Sequence, residues 1–380
     1  MFSFTDKRWC PTASTPGHCR DVPFAGDCHS STSCNTLNQQ GDNSMRYDRS
    51  LSGFDFHTGG QGMRLLTAGL DPIDGGTMND KLEYFRQQHD DVRQSLCAEP
   101  RGSQGLLLAV VTEPVSAEAS FGLLYMTAAD YLQACGELTI GAVTALVETG
   151  FVTPDPTTGE VVVDGPAGTI RTVPTIENGR VSEVALTMPT SYVIALDEQL
   201  VLKNSTEISV DLCYGGGNIF AMVDAASVGL SLELSNAEQF RILGGEIRRE
   251  LNARGVVSKT AETLPNRSVD MVEFYTAQDT EGTARNVVIW DDPAYVNRAP
   301  CGTGTCARLA QMSVRGQLQP QQSFTQQGIV GTHFTGVYEH LNTEGNAVTP
   351  TVTGSARVTG VIQHLFHDDD PMKTGYLLPA

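Results

Sequence analysis

Lysine is scarce, five residues against twenty arginines, in a 380-residue chain with a formal net charge of −19. Phosphate backbones need a basic face, so this charge balance argues against nucleic acid as a partner. Long apolar runs are missing too. The longest, GLLLAVV at Gly105–Val111, is far short of the ~20 residues of a membrane-crossing helix. No basic stretch followed by an apolar one opens the chain, so neither a membrane span nor a signal peptide is expected. The nine cysteines include no paired Cys-x-x-Cys pattern for zinc, and GxSxG, P-loop and HExxH signatures are absent. His364 and His367, in HLFHDDD, are expected in a loop rather than at a metal.

What remains is an ordinary globular composition, 40% hydrophobic and 18% charged. It is too long for one core, which predicts two domains. The acidic balance reads as a solvated surface, with a salt-rich cytoplasm as a second cause. Four cysteines, Cys10, Cys19, Cys28 and Cys34, lie in a Ser-, Thr-, Gly-, Asp- and Asn-rich opening without periodicity. Residues 1–50 are therefore expected to be a disordered tail, with Met45 as a candidate start and a disulfide cluster as the rival reading. The other five, Cys97, Cys135, Cys213, Cys301 and Cys306, are scattered as free thiols in a reducing, cytoplasmic setting would be.

Helical spacing of Leu82, Phe85, His89, Val92 and Leu96 predicts one helix over 77–96, opened by a Thr77/Asp80 capping box. Gly105–Thr112 reads as a buried strand. Residues 160–191 read as short strands turned at Asp164-Gly165 and Asn178-Gly179. A second helix is predicted from Ser235, then strands VEFYTA and NVVIW, and late hairpins around 328–338 and 350–362.

Two stretches carry the chemistry. Residues 135–150, CGELTIGAVTALVETG, and 301–316, CGTGTCARLAQMSVRG, both start Cys-Gly, both have Thr fifth, and both close on Gly. Each is expected to begin a helix, so the chain holds one motif twice, on mixed α/β halves with largely antiparallel sheets around one central helix each. A helix start offers unpartnered N–H groups and partial positive charge, which suit a carboxylate and lower the pKa of a nearby thiol. Gly136 and Gly302 let the backbone approach a ligand closely. Facing turns of this kind would flank one α-carbon with two sulfurs, a base on one face and an acid on the other. Cys97, Cys213 and Cys306 are expected to be packing residues.

With these residues in view the chain resembles the proline racemase family, in HTGGQGMR at 57–64, EPRG at 99–102 and ACGELTIGAVTALVETG at 134–150. Further matches are VDLCYGGGNIFAMVDA at 210–225, NRAPCGTGTCARLA at 297–310, IVGTHFTG at 329–336, TGSARVTG and DDPMKTGYLL. The resemblance implies an α/β (α+β) fold like that of diaminopimelate epimerase, with two pseudo-equivalent domains. The expected halves are 51–205 with Cys135 and 206–350 with Cys301, and 351–380 returns to pack on the first. It implies inversion of the α-carbon of proline or hydroxyproline by Cys135 and Cys301, without a metal or cofactor, in a protein that often forms homodimers. Gly136, Glu137, Asn297, Gly302 and Thr303 match positions that bind the imino- or amino-acid substrate. The family usually has His where this chain has Glu137, Asp where it has Asn297, and His after EPRG where it has Ser103. Its Gly215–Gly217 run has one extra residue. Glu137 is therefore expected to take over the ion pair with the substrate amine. Dehydratases of the family carry Thr at the position of Cys301, so two thiols favour racemisation or epimerisation. A catalytically altered or inactive ligand-binding relative, a dehydratase-like lyase and thiol redox chemistry stand as the alternatives.

Overall fold

The computed structural model describes residues 47–260, 267–280, 282–341 and 346–378. The expectations for residues 1–46 lie outside the described residues. Arg49 and Ser50, expected with the tail, already belong to the first strand.

The chain runs through one series of elements and then repeats it. The first series is β1 (Arg49–Thr58), β2 (Gln61–Ala68), α1 (Met78–Gln88), α2 (Asp90–Cys97), β3 (Leu107–Thr112), β4 (Phe121–Met126), β5 (Tyr131–Leu132), α3 (Gly136–Glu148), β6 (Val161–Gly165), β7 (Gly168–Glu177) and β8 (Arg180–Thr187). After β9 (Ser191–Val201) the second series is β10 (Glu207–Gly215), β11 (Asn218–Asp224), α4 (Ala237–Arg254), α5 (Val256–Thr260), β12 (Met271–Tyr275), β13 (Thr283–Trp290), β14 (Tyr295–Val296), α6 (Gly302–Val314), β15 (Phe324–Gln327), β16 (His333–His340) and β17 (Ala347–Gly354), and β18 (Ala356–Phe366) ends the chain's regular structure. Pairing repeats as well. β2 runs parallel to β3 and β11 to β12, while β4 runs parallel to β6 and β13 to β15. The remaining neighbours within each series are antiparallel.

Each series wraps its strands around one helix. α3 packs on β1, β2, β7, β8 and β18, and α6 packs on β10, β11, β16, β17 and β9. Gly136–Leu146 and Gly302–Met312 are buried without interruption, because strands enclose both helices, and the polar side chains this encloses bond inside, as Arg308 does to Gln311. The fold is thus two similar α+β halves, each a curved, mostly antiparallel sheet around a central helix. A pairing of β8 with β17 joins them, and Asp48–Ala380 forms one compact unit.

The strand that completes each half comes from elsewhere in the chain. β18 pairs with β1 through Arg49↔Phe366 to Thr58↔Ala356, and β9 pairs with β10. Strand pairing therefore sets Ser191–Val201 with the second half, ahead of the expected divide at 205/206. β17 stays with the second half, so the return to the first half is made by β18. For the same reason 350–362 is not a hairpin.

Three local expectations are corrected. The helix over 77–96 breaks at His89, which ends α1 and precedes α2. Its ring packs on Phe85 and Tyr84 while Asp90 holds Arg93 at 2.7 Å, but the Thr77/Asp80 capping box is present. The turn after β6 is Pro166-Ala167, because the Asp164 carboxylate accepts N–H groups of Val115 and Ser116 and keeps Asp164 in the strand. α4 begins at Ala237, after a short 3-10 turn at Leu234–Asn236, rather than at Ser235. Asn178-Gly179 does turn β7 into β8, with both residues at positive φ as this two-residue turn requires.

Candidate active site

The starts of α3 and α6 meet. Cys135 is the N-cap of α3 and Cys301 that of α6. Between them the backbones touch at glycine. A Cβ built on Gly136 would lie 3.1 Å from the Gly302 Cα, and one built on Gly302 would lie 3.0 Å from the Gly136 Cα. A side chain at either position would require the facing turn to give by a few tenths of an ångström. Asn218, at the start of β11, ties the two together, its Nδ2 donating to the Ala134 carbonyl at 3.0 Å and to Thr303 Oγ1 at 3.3 Å. Gln61 adds a second tie, donating to the Gly105 carbonyl and accepting from the Arg298 N–H.

In front of the glycines is a small space of about 10 Å3, lined by Cys135, Glu137, Asn297, Cys301 and Thr303 together with Leu107, Leu132, Ala134, Met271 and Trp290. The candidate site residues from the sequence are thus brought together, five lining the space and Gly136 and Gly302 touching one another beside Cys135 and Cys301. Asn218, Trp290, Leu107, Leu132 and Met271 were not singled out. Only Asn218 left a trace in the sequence, as a polar residue closing the GGGN turn.

Among the described residues no Lys, Arg or His lines the space, and the two helix starts supply positive potential there. Negative charge comes from Glu137, 2% exposed. Asn297 Nδ2 donates to both of its carboxylate oxygens, at 3.0 and 3.3 Å, and the Cys301 N–H donates as well. Burial outweighs these donors and pushes Glu137 up to about 7. The two residues expected to flank an ammonium are therefore hydrogen-bonded to each other.

The thiols depart from the expectation of a lowered pKa. Both are pushed well above the ordinary thiol range, first by burial and then by the Glu137 charge. The helix starts do act in the expected direction, through the N–H groups of Leu138 and Glu137 on Cys135 and of Gly304 on Cys301, the last at 3.4 Å. They do not outweigh desolvation. A cation placed against Glu137 would cancel the second cause. All five cysteines among the described residues are free and buried.

The chain matches the proline racemase family over residues 54–377. It is a member of that family. It is 35% identical to a proline racemase of Clostridioides difficile over 338 residues, 88% of this chain and 100% of the relative. To a 4-hydroxyproline 2-epimerase of Streptosporangium roseum it is 34% identical over 336 residues, again 88% of this chain and 100% of the relative. Among solved structures it is similar to a hydroxyproline epimerase from Agrobacterium vitis with bound trans-4-hydroxy-L-proline, with a TM-score of 0.79 and 29% identity over 88% of this chain and 96% of that one. Racemases and epimerases such as these are isomerases, and the chain is an enzyme of that type. Among the described residues, no helix is long and apolar enough to cross a membrane.

Proposed function

We propose that this proline racemase family member inverts the α-carbon of proline or a hydroxyproline, with Cys135 and Cys301 exchanging the roles of base and acid. The observation that carries the reading is the meeting of two cysteine-capped helix starts at one small, cation-free space. The substrate carboxylate lies on the N–H groups of the two first turns, including Gly136, Gly302 and Thr303. Its ammonium pairs with Glu137, which Asn297 steadies. Ionised Glu137 raises both thiols; a bound ammonium neutralises it and brings a thiolate within reach only when substrate is present. One thiolate takes the α-proton, the opposing thiol returns one to the other face, and the carboxylate draws off the charge of the planar intermediate where the helix donors lie.

The test is α-proton exchange in D2O, followed by NMR on proline and on 3- and 4-hydroxyproline, for the wild type and for Cys135→Ser, Cys301→Ser and Glu137→Gln. Loss of either acid–base partner is expected to slow inversion by about 10²–10⁴-fold. Glu137→Gln is expected to lose the rise of kcat/KM with pH through about 7 that ionisation of Glu137 gives the wild type. Full inversion by either cysteine variant would sink the two-thiol reading, and an unchanged pH limb would remove Glu137 from it.

A further inference from the structure

One buried carboxylate behind the site takes no part in the chemistry above. Glu273, on β12, is fully buried, and its Oε1 accepts from Asn286 Nδ2 of β13 at 3.1 Å and from Gln326 Nε2 of β15 at 2.6 Å. Asn286 Nδ2 also donates to the Pro300 carbonyl, the residue before Cys301, at 2.6 Å. The Glu273 Oε2 atom is buried without a hydrogen-bond donor. It lies against the first turn of α6. The place a Gly304 Cβ would occupy is 2.5 Å from Oε2 and 3.3 Å from the Cys301 sulfur, so glycine is what lets oxygen and sulfur come near each other. Among the described residues Arg308 is the cation that acts on Glu273, but no ion pair joins them. The Arg308 guanidinium lies over the Tyr275 ring, 3.9 Å from its centroid, and donates to Gln311.

A negative charge within ~4–6 Å disfavours a second one. The titratable groups that Glu273 acts on are Cys301, Cys306 and Arg308 of α6 and Cys213 of β10, while Asn286 and Gln326 are neutral. Cys301 faces two carboxylates, Glu137 and Glu273, whereas Glu137 is the one that acts on Cys135. In the proposed reaction the substrate ammonium neutralises Glu137 and so removes the influence common to both sulfurs. Glu273 is then what distinguishes them. We infer that Glu273 is a positioning residue that acts through Cys301, its buried carboxylate keeping the proton on that sulfur so that Cys135 is the first of the two to serve as base. The Cys135 thiolate takes the α-proton, and the Cys301 thiol gives its own to the opposite face. Turnover ends with Cys135 protonated and the charge on Cys301. The starting form returns when Cys135 passes one proton to water and Cys301 takes one from water. The inference rests on the two-thiol reading of the site.

The test is the initial rate of iodoacetamide alkylation at each sulfur of the full-length, substrate-free enzyme, counted by peptide mass spectrometry at about pH 6 and about pH 8.5. Burial leaves Glu273 neutral below about 7 and ionised above it, so its hold on Cys301 is expected only at the higher pH. In the wild type the Cys135-to-Cys301 rate ratio should rise about tenfold between the two, and Glu137, which acts on both sulfurs, enters both rates. In Glu273→Gln at the higher pH, Cys301 should react about tenfold faster than in the wild type, Cys135 should stay within about twofold, and the ratio should no longer depend on pH. A constant ratio in the wild type overturns the inference, and so does an unchanged Cys301 rate in the variant. Equal acceleration of both sulfurs also overturns it, because a loosened fold then explains the change. If Glu273→Gln does not fold, the wild-type ratio alone decides. If neither sulfur alkylates, turnover of L- and D-proline decides. Their kcat/KM values are held equal by the equal stability of enantiomers, so the variant should change the ratio of the two kcat values about tenfold, and an unchanged ratio overturns the inference. Alkylation needs no turnover, so a wild type that inverts neither proline nor hydroxyproline overturns the racemase or epimerase reading and leaves the order of the sulfurs to the alkylation ratios.

Discussion

The two helix starts share a motif but stand on different ground. Cys135 has extended backbone, φ −146°, whereas Cys301 has φ +67°, a left-handed conformation that a non-glycine residue adopts only under constraint. Beneath them the strands differ as well. Leu107 and Met271 line the site at the starts of β3 and β12, and two residues further on come Ala109 and Glu273. Across the register Ala109 faces Tyr125 and Glu273 faces Val288. Small against large in one half has become large against small in the other. Tyr125 spends its hydroxyl on Thr139 at 2.9 Å. Glu273 accepts from Asn286 and Gln326 through Oε1, while Oε2 is buried bare against the turn at Gly304, where a Cβ would come within 2.5 Å of it. Burial pushes Glu273 up to about 7, and its charge reaches Cys301 but is not among the influences on Cys135. A duplicated turn can thus keep its donors and its sulfur while its background changes. The two thiols are not electrostatic twins.

Three measurements would break or sharpen this contrast. The largest effect is expected where the halves are still alike. Gly136→Ala and Gly302→Ala should each wedge the helix starts apart and lower turnover by about 100-fold, since small misplacements at a reacting centre are costly. A large loss in one variant and none in the other would show that the contact is not shared. Next in size is Glu273→Gln. A carboxyl whose folded pKa is raised stabilises fully below its unfolded value near 4.5 and loses that contribution as pH rises to about 7. Urea unfolding at pH 4 and pH 8 should therefore give Glu273→Gln a relative gain of roughly 3 kcal/mol at the higher pH. Parallel pH curves for variant and wild type would show that Glu273 ionises no differently when folded. The smallest effect is at the backbone. At position 301 glycine should be more stable than alanine by about 1 kcal/mol, and at position 135 the order should reverse, read as melting temperatures of the four variants. Alanine as stable as glycine at position 301 would mean that Cys301 carries no strain.

Much of this was legible in the sequence, for reasons that also mark where legibility stopped. The twin Cys-Gly turns, the central helices and the Thr77 cap are local signals, written within a few residues of one another. So were Glu137 and Asn297, as departures from a recognisable pattern. Three features were not local. Asp164-Gly165 carries a turn dipeptide, but the carboxylate is drawn to Val115 and Ser116, far away in sequence. Glu273 sits in the strand VEFYTA, and its full burial depends on Asn286 and Gln326, which come from other strands to receive it. The thiol acidities turned on burial, which only the assembled halves create. The helix starts were visible, and what outweighed them was not.

The pairing of β1 with β18 has a consequence for how the protein is made. Arg49 finds Phe366 only after almost the whole chain has left the ribosome, whereas β9 to β17 is one unbroken stretch. The half that is translated first is the one that must be finished last, and until then its open edge along β1 is where a chaperone or a second nascent chain would take hold.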